Sequence, residues 1–194
     1  MSEKSKIRQV FLRKRKFLKA GELKRRSATL LELFKSSFDL SKYNYVHVFL
    51  PIEKQNEVNT WPLVEYLESK KKQVVVSKSD LTSNHMSHYL LDRSVGIVTN
   101  KWGIPEPSGG QLVTEEQLDL VLVPLLVFDR QGNRIGYGKG YYDHFLSKCR
   151  PDCIKVGLSL SPPVDNLPGI EPTDIKLDYC ISPTGLYTFG VLEK

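Results

Sequence analysis

The eleven residues LDLVLVPLLVF, 118 to 128, constrain the fold of this chain more than any other stretch. Apart from Asp119 and Pro124 the run is apolar without alternation, so a strand built from it offers no face to water. Such a strand belongs in the middle of a sheet covered on both sides. The flanking sequence supplies covers of the right kind. Residues 4 to 19 read as a helix in which Ile7, Val10, Phe11 and Leu18 form one apolar stripe, with Lys4, Arg8 and Arg15 along its edge. A second helix runs from Glu22 to Lys35 with Leu23, Leu30, Leu31 and Phe34 inward. TWPLVEYLESKK gives a third, with Thr60 as N-cap and Pro62 in the first turn, and a short fourth spans Tyr141 to Cys149. YNYVHVFLPI, QVVVSKS, MSHYLL, SVGIVT, CIKVGLSL and a final segment around DYCIS read as strands. LDRS reads as a turn, NKWGIPEPSGG as a glycine- and proline-rich loop carrying Trp102, and LYTFGV as a tail. Strands alternating with helices predict an α/β fold, a three-layer α/β/α single domain over residues 1–194 on a mixed, partly parallel sheet.

Composition narrows the function classes. No run approaches 18 consecutive apolar residues, so no membrane-spanning helix is expected. The basic N-terminus lacks the apolar centre of a signal peptide, and a cytoplasmic protein is expected. Cys149, Cys153 and Cys180 are odd in number and follow no metal-ligand spacing, which predicts reduced thiols. The formal charge of +6, concentrated in the first 26 residues, suits a polyanion such as nucleic acid, acidic lipid or nucleotide phosphates. Charge alone does not choose among them.

The segment after the apolar run carries the chemistry. GNRIGYGKG, 132 to 140, places four glycines, Arg134 and Lys139 in nine residues, followed by Tyr141, Tyr142 and Asp143. Glycines at 136, 138 and 140 remove every second Cβ, letting backbone N–H groups approach a ligand and adopt positive φ. A loop running from a buried strand into a helix start, with two cations beside it, suits a phosphate chain. It is neither a Walker A loop, because Gly140 follows Lys139, nor a GxGxxG fingerprint. A tight turn with glycines for packing is the plainer alternative. Asp143 either caps the helix or holds Mg²⁺, and Asp174 and Asp178 are further carboxylates of that kind. Lys4 and Arg8, one turn apart, either grip one anion or form a solvated basic face. Trp102 either stacks on a flat ring or covers core. His85 and His88 read as ordinary histidines on opposite faces of an extended segment.

Taken together, these segments resemble the 5-formyltetrahydrofolate cyclo-ligases, or 5,10-methenyltetrahydrofolate synthetases. VPLLVFDRQGNRIGYGKGYYDHFL is similar to that family's signature. KSKIR, FLPIEKQNEVNT, KWGIPEP and PTDIKLDYCISPTG are similar to its other motifs, in order along nearly the whole chain. The resemblance implies a fold related to the phosphosugar isomerases and CoA transferases. It also implies an ATP- and Mg²⁺-dependent ligase that turns 5-formyltetrahydrofolate and ATP into 5,10-methenyltetrahydrofolate, ADP and phosphate. By the same resemblance ATP is bound by Lys4, Arg8, Arg134, Ile135, Gly136, Tyr137, Gly138, Lys139, Gly140, Tyr141 and Tyr142. Lys139 and Arg134 serve the reacting phosphate, and Asp143 and Asp174 hold the metal. Leu50, Glu57, Trp102 and part of the loop, Tyr137 to Tyr141, line the folate site. Tyr137 stands where some members carry arginine, and the loop from Leu50 to Glu57 is longer than in several of them. The partners implied are small molecules, with no nucleic acid and no membrane, in a monomer or weak homodimer. A nucleic-acid-binding reading of the basic helix would leave the glycine loop and Asp143 without a role. A phosphosugar isomerase on the same scaffold would use the loop without consuming ATP.

Overall fold

The computed structural model describes residues 2–80, 82–92 and 95–190. Arg93 and Ser94 of the expected LDRS turn and Val191 of the expected tail lie outside them. Four α-helices are present among the described residues: α1 Glu3–Lys16, α2 Ala20–Ser37, α3 Trp61–Ser69 and α4 Tyr141–Leu146. The strands of the main sheet are β1 Tyr45–His47, β2 Gln73–Ser79, β3 Met86–Leu90, β6 Leu112–Val113, β7 Leu120–Pro124, β10 Ile154–Leu158, β11 Tyr179–Ser182 and β12 Gly185–Thr188. Two hairpins stand apart, β4 Ile97–Thr99 with β5 Pro105–Pro107, and β8 Val127–Phe128 with β9 Arg134–Ile135.

The sheet order is β12-β11-β10-β7-β1-β2-β3-β6. The five central strands, β11 to β2, are parallel, and β12, β3 and β6 join antiparallel at the two edges. Leu120 to Pro124 of the apolar run form β7 in the middle, as the lack of alternation requires, while the end of the run, Val127–Phe128, leaves the main sheet as β8. Its side chains divide with the period of two that any strand imposes. Leu120 and Leu122 enter one core with Leu30 and Phe34 of α2 and Leu63, Val64 and Leu67 of α3. Val121 and Val123 enter the other, with Phe145 and Leu146 of α4. The sheet is therefore buried on both faces, and the three layers are present.

The second helical layer is thin. A six-residue helix is far below the length at which helices persist alone, so the packing of Phe145 and Leu146 holds α4 in place. The β8–β9 hairpin completes that side. Its turn is organised by Asp129, which is 1 % exposed. The carboxylate accepts from the backbone N–H of Gln131 at 2.9 Å, Asn133 at 3.0 Å and Leu167 at 3.1 Å, and from Asn133 Nδ2 at 2.8 Å. Four donors satisfy a charge that would be costly to bury alone. The same turn delivers Arg134 and the glycine loop to the carboxyl end of the sheet.

Helix α1 departs from its expected role. It ends at Lys16, so Leu18 leaves the stripe and packs with the α2 side of the sheet. Ile7 and Phe11 instead cover Val127, Ile135 and Leu167, while Val10 is exposed. The helix lies over the β8–β9 hairpin. Other expectations change at element ends. Thr60 precedes α3, but its hydroxyl donates to Phe49 O at 2.6 Å instead of capping the helix. The fourth helix stops at Leu146, three residues before Cys149. YNYVHVFLPI contributes only three residues of strand before its chain turns toward the site. Part of the expected Trp102 loop is β5, and the first half of the expected tail, Leu186 to Thr188, belongs to β12, an edge strand paired with β11. No described helix is long and apolar enough to cross a membrane. All three cysteines are free thiols.

Candidate active site

Parallel strands leave their carboxyl ends on one edge of the sheet, and the crevice outside that edge is where α/β proteins bind ligands. Here a cavity of ≈ 530 Å³ opens beside the glycine loop, within the range of small-molecule sites. Its lining brings together Lys4 and Arg8 of α1, Arg134 and Ile135 of β9, Gly138 and Gly140 of the loop, Asp143 of α4, and Asp174 of the segment before β11. All eight are residues singled out from the sequence. His144, Ser147, Glu171, Thr173 and Ile175 complete the wall and were not. His144, Thr173 and Ile175 lie within the quoted motif segments without being singled out there, and Ser147 and Glu171 lie just outside them.

The charges are interlocked. Arg134 donates from Nη2 to Asp143 Oδ1 at 2.8 Å and from Nη1 to the carbonyl of Ile175. Asp143 Oδ1 also accepts from Ile175 N at 3.1 Å. Lys4 Nζ donates to Asp174 Oδ2 at 2.6 Å, and Glu171 N donates to the same oxygen at 2.8 Å. Burial alone would raise the Asp174 pKa, but that N–H and the Lys4 and Arg134 charges hold it below its ordinary value. Arg8 Nε donates to Gly136 O at 2.9 Å. Its guanidinium lies so close over Gly138 that a Cβ there would fall 2.5 Å from Cζ. Gly138 also has φ +83, so this position needs glycine twice over. Leaving His144 aside, the lining carries three cations, Lys4, Arg8 and Arg134, against three carboxylates, Asp143, Glu171 and Asp174. By itself it has little net attraction for a polyanion.

The two aspartates predicted as metal ligands thus face one cavity. Among the described residues, Asp143 Oδ2 and Asp174 Oδ1 accept no hydrogen bond, so each keeps an oxygen for a cation. No cluster of three or more His, Cys, Asp or Glu side chains suited to a metal occurs among the described residues. Two carboxylates make a donor set for a hard cation that takes its remaining ligands from phosphate oxygens and water, as Mg²⁺ does. The residues fit that ion. Asp178 is spoken for elsewhere, accepting from Lys155 N and Nζ at 2.7 and 2.9 Å.

The remaining residues of the loop lie outside the cavity lining. Lys139 is exposed and forms no ion pair among the described residues. Tyr141 donates to Asp80 O at 2.7 Å, fastening α4 to the end of β2. Tyr142 turns inward, its ring 5.8 Å from Phe145 and 6.1 Å from His47. Tyr137 points away from the cavity, and its hydroxyl donates to Glu57 Oε1 at 2.6 Å. Glu57 is buried, and its Oε2 accepts from Ile52 N at 2.7 Å. Burial pushes the Glu57 pKa up, against the opposing pull of the Ile52 N–H, Tyr137 and Arg15. Burial and the Glu57 charge likewise push the Tyr137 phenol up, against Arg15. Leu50 is buried a few residues before this pair. Trp102 is 52 % exposed, with Lys101 Nζ 4.2 Å above its ring, so it covers no core. Its neighbour Gly103 lies against Lys54 of the turn that leads to Glu57. His88 is buried, bridged through Ser77 Oγ to His47, while His85 meets His144 at the surface. The two expected histidines do face opposite ways.

Residues 1–183 match the 5-formyltetrahydrofolate cyclo-ligase family. A probable 5-formyltetrahydrofolate cyclo-ligase of Schizosaccharomyces pombe is 32 % identical over 145 residues, covering 66 % of this chain and 70 % of its own length. The 5-formyltetrahydrofolate cyclo-ligase of Mus musculus is 31 % identical over 156 residues, 76 % of this chain and 75 % of its own. Among solved structures, the 5,10-methenyltetrahydrofolate synthetase of Aquifex aeolicus superposes with a TM-score of 0.81 at 28 % identity, covering 100 % of this chain and 96 % of that one.

Proposed function

The chain belongs to the 5-formyltetrahydrofolate cyclo-ligase family, and from that premise we propose that it converts 5-formyltetrahydrofolate and ATP to 5,10-methenyltetrahydrofolate, ADP and phosphate. The observation that carries the reading is the convergence of Lys4, Arg8, Arg134, Asp143 and Asp174 on one cavity, beside the Tyr137–Glu57 pair. A triphosphate lies in that cavity and the pterin ring beyond it, against Glu57, Leu50 and Trp102. Ring closure by N10 needs the formyl oxygen turned into a leaving group. That oxygen attacks the γ-phosphorus, ADP departs, N10 adds to the formyl carbon and loses its proton to water, and phosphate leaves as the methenyl cation forms.

Phosphoryl transfer asks the protein for alignment and charge neutralisation rather than for a nucleophile. Arg8 and Lys4 hold the phosphates from the α1 side, and Arg134 fixes Asp143 from below. Lys139, exposed at the loop, closes on the transferring group. Glu57 accepts from the N–H edge of the pterin and so sets the direction of the formyl group. Asp143 and Asp174 are the residues that would hold Mg²⁺. When bound, the ion supplies the positive charge that a lining of three cations and three carboxylates lacks for a polyanion. In this reading the protein acts in the cytoplasm as a monomer or weak homodimer on these two small molecules.

The test is an absorbance assay in the near-ultraviolet band of methenyl-folate. Purified protein is given 5-formyltetrahydrofolate with and without ATP and Mg²⁺. A rise that needs both is expected. No rise from folded protein that binds ATP would assign the scaffold to another substrate.

A further inference from the structure

Arg15 is the one residue of α1 that is buried, at 7 % exposure, on a helix otherwise rich in solvated lysine and arginine. An arginine is buried at a cost unless its charge is answered. Here the answer comes through an intermediary. Arg15 Nη2 donates to the hydroxyl of Tyr137, which itself donates to Glu57 Oε1 at 2.6 Å. The guanidinium carbon lies 5.2 Å from the Tyr137 ring centroid, so charge and ring are also in contact. Arg15 Nε is buried without a partner among the described residues. The end of the helix is clamped to the same loop from the other side. Asn56, beside Glu57 and in the left-handed region at φ 49, donates from Nδ2 to Arg15 O at 3.1 Å and Leu18 O at 3.3 Å.

We infer that Arg15 is a positioning residue for the folate site: through the Tyr137 hydroxyl it supplies the positive charge that pairs with Glu57 and fixes that carboxylate as an acceptor for the N–H edge of the pterin ring. The inference rests on the folate reading above and adds a residue and a device to it. Along α1 each cation then has its own duty. Lys4 and Arg8 face the nucleotide cavity, and Arg15, two turns past Arg8, serves the other substrate. Among the described residues, the groups facing Glu57 are the Ile52 N–H, Tyr137 from the glycine loop, Arg15 from α1, and Tyr142 from α4. Arg15 is the one cation among them. Burial already favours the protonated acid, so removal of Arg15 moves Glu57 further toward it.

The test compares the wild type with Arg15→Met and Arg15→Lys, reading equilibrium binding of 5-formyltetrahydrofolate from pH 6.5 to 8.5 and binding of a non-hydrolysable ATP analogue alongside. The wild type is expected to hold folate with little pH dependence. Arg15→Met is expected to bind it about tenfold or more weakly at pH 6.5, recovering toward high pH by at most a decade per unit, the slope of one linked proton. Its nucleotide affinity stays within about twofold, because Lys4 and Arg8 remain. Arg15→Lys keeps the charge and the flat profile. An Arg15→Met loss that is uniform in pH, or equal for both ligands, would mean a merely structural role and overturn the inference. If that variant does not fold, Tyr137→Phe keeps the ring and deletes only the relay; a flat pH profile there overturns it equally. A wild type that binds nucleotide but no folate would overturn the folate reading and this inference with it, whereas normal folate binding in Arg15→Met would overturn the inference alone.

Discussion

Gly138→Ala isolates what the glycine loop is for. An alanine Cβ at this position would lie 2.5 Å from Cζ and Nη2 of Arg8 and 2.9 Å from its Nε. No side chain tolerates that approach, so Arg8 must swing away and its 2.9 Å bond to Gly136 O is lost. The backbone meanwhile stays at φ +83, which costs an alanine about 1–2 kcal/mol. A hydrogen bond from a charged donor contributes about 1.5 kcal/mol at the low end, the appropriate value for a half-exposed arginine. Together the loss is about 3 kcal/mol, or a fall in melting temperature of roughly 6–12 °C for a chain of this size. Moving one guanidinium off the phosphates should also weaken ATP about tenfold or more. Gly136→Ala is the control, since no atom lies within 4 Å of a Cβ there and φ is not positive. Its stability should change by no more than about 0.5 kcal/mol. Thermal melts and calorimetric ATP titrations of the two variants make the comparison. Equal melting temperatures and equal ATP affinities would refute the claim that Gly138 exists to admit Arg8.

Lys139→Ala should lower turnover about 10²-fold or more, as loss of a transition-state charge contact does, and leave the melting temperature unchanged because Lys139 is exposed. Near-normal turnover would remove Lys139 from the reaction. Asp174→Asn should raise the Mg²⁺ concentration for half-maximal activity about tenfold while destabilising the fold by only about 1 kcal/mol, since its partner Lys4 is partly exposed; an unchanged Mg²⁺ requirement would exclude Asp174 as a ligand. Acid should unfold the protein early. His88 is pushed down to about 4, chiefly by burial, and His47 is held below its ordinary value in the same way. For a base with a depressed folded pKa, stability is intact above pH 6.5 and is lost as pH falls through the window from 6.5 toward 4. His88 alone accounts for about 2 kcal/mol by pH 5. Urea midpoints that do not fall between pH 7.5 and pH 5 would contradict this.

The site was partly legible because its core is local. Arg134, Gly138, Gly140 and Asp143 sit within ten residues, and a glycine-alternating loop flanked by cations after a buried strand is built to admit an anion. Lys4 and Arg8 were visible as a pair one turn apart. Arg15 was visible only as a third cation on the same edge, and nothing in its neighbourhood announces burial beneath a tyrosine. Around Asp174, the wall residues Glu171, Thr173 and Ile175 were not singled out, because their membership depends on a loop folding back onto α1 across about the whole chain.

What the sequence determined by itself follows from short-range rules. An apolar run without alternation must be a covered strand, which led to β7 and a sheet buried on both faces. Alternate glycines with cations must make an open, anion-friendly loop. What tertiary structure alone decided is which distant groups meet. Lys4 reaches Asp174 across 170 residues, Tyr137 reaches Glu57 across 80, and Leu186 to Thr188 join an edge strand rather than a tail. Strand period and helix period specify a face, but they do not specify a partner. Partners are chosen by the closing of the sheet and the satisfaction of every buried charge at once, and that sum is taken over the whole fold.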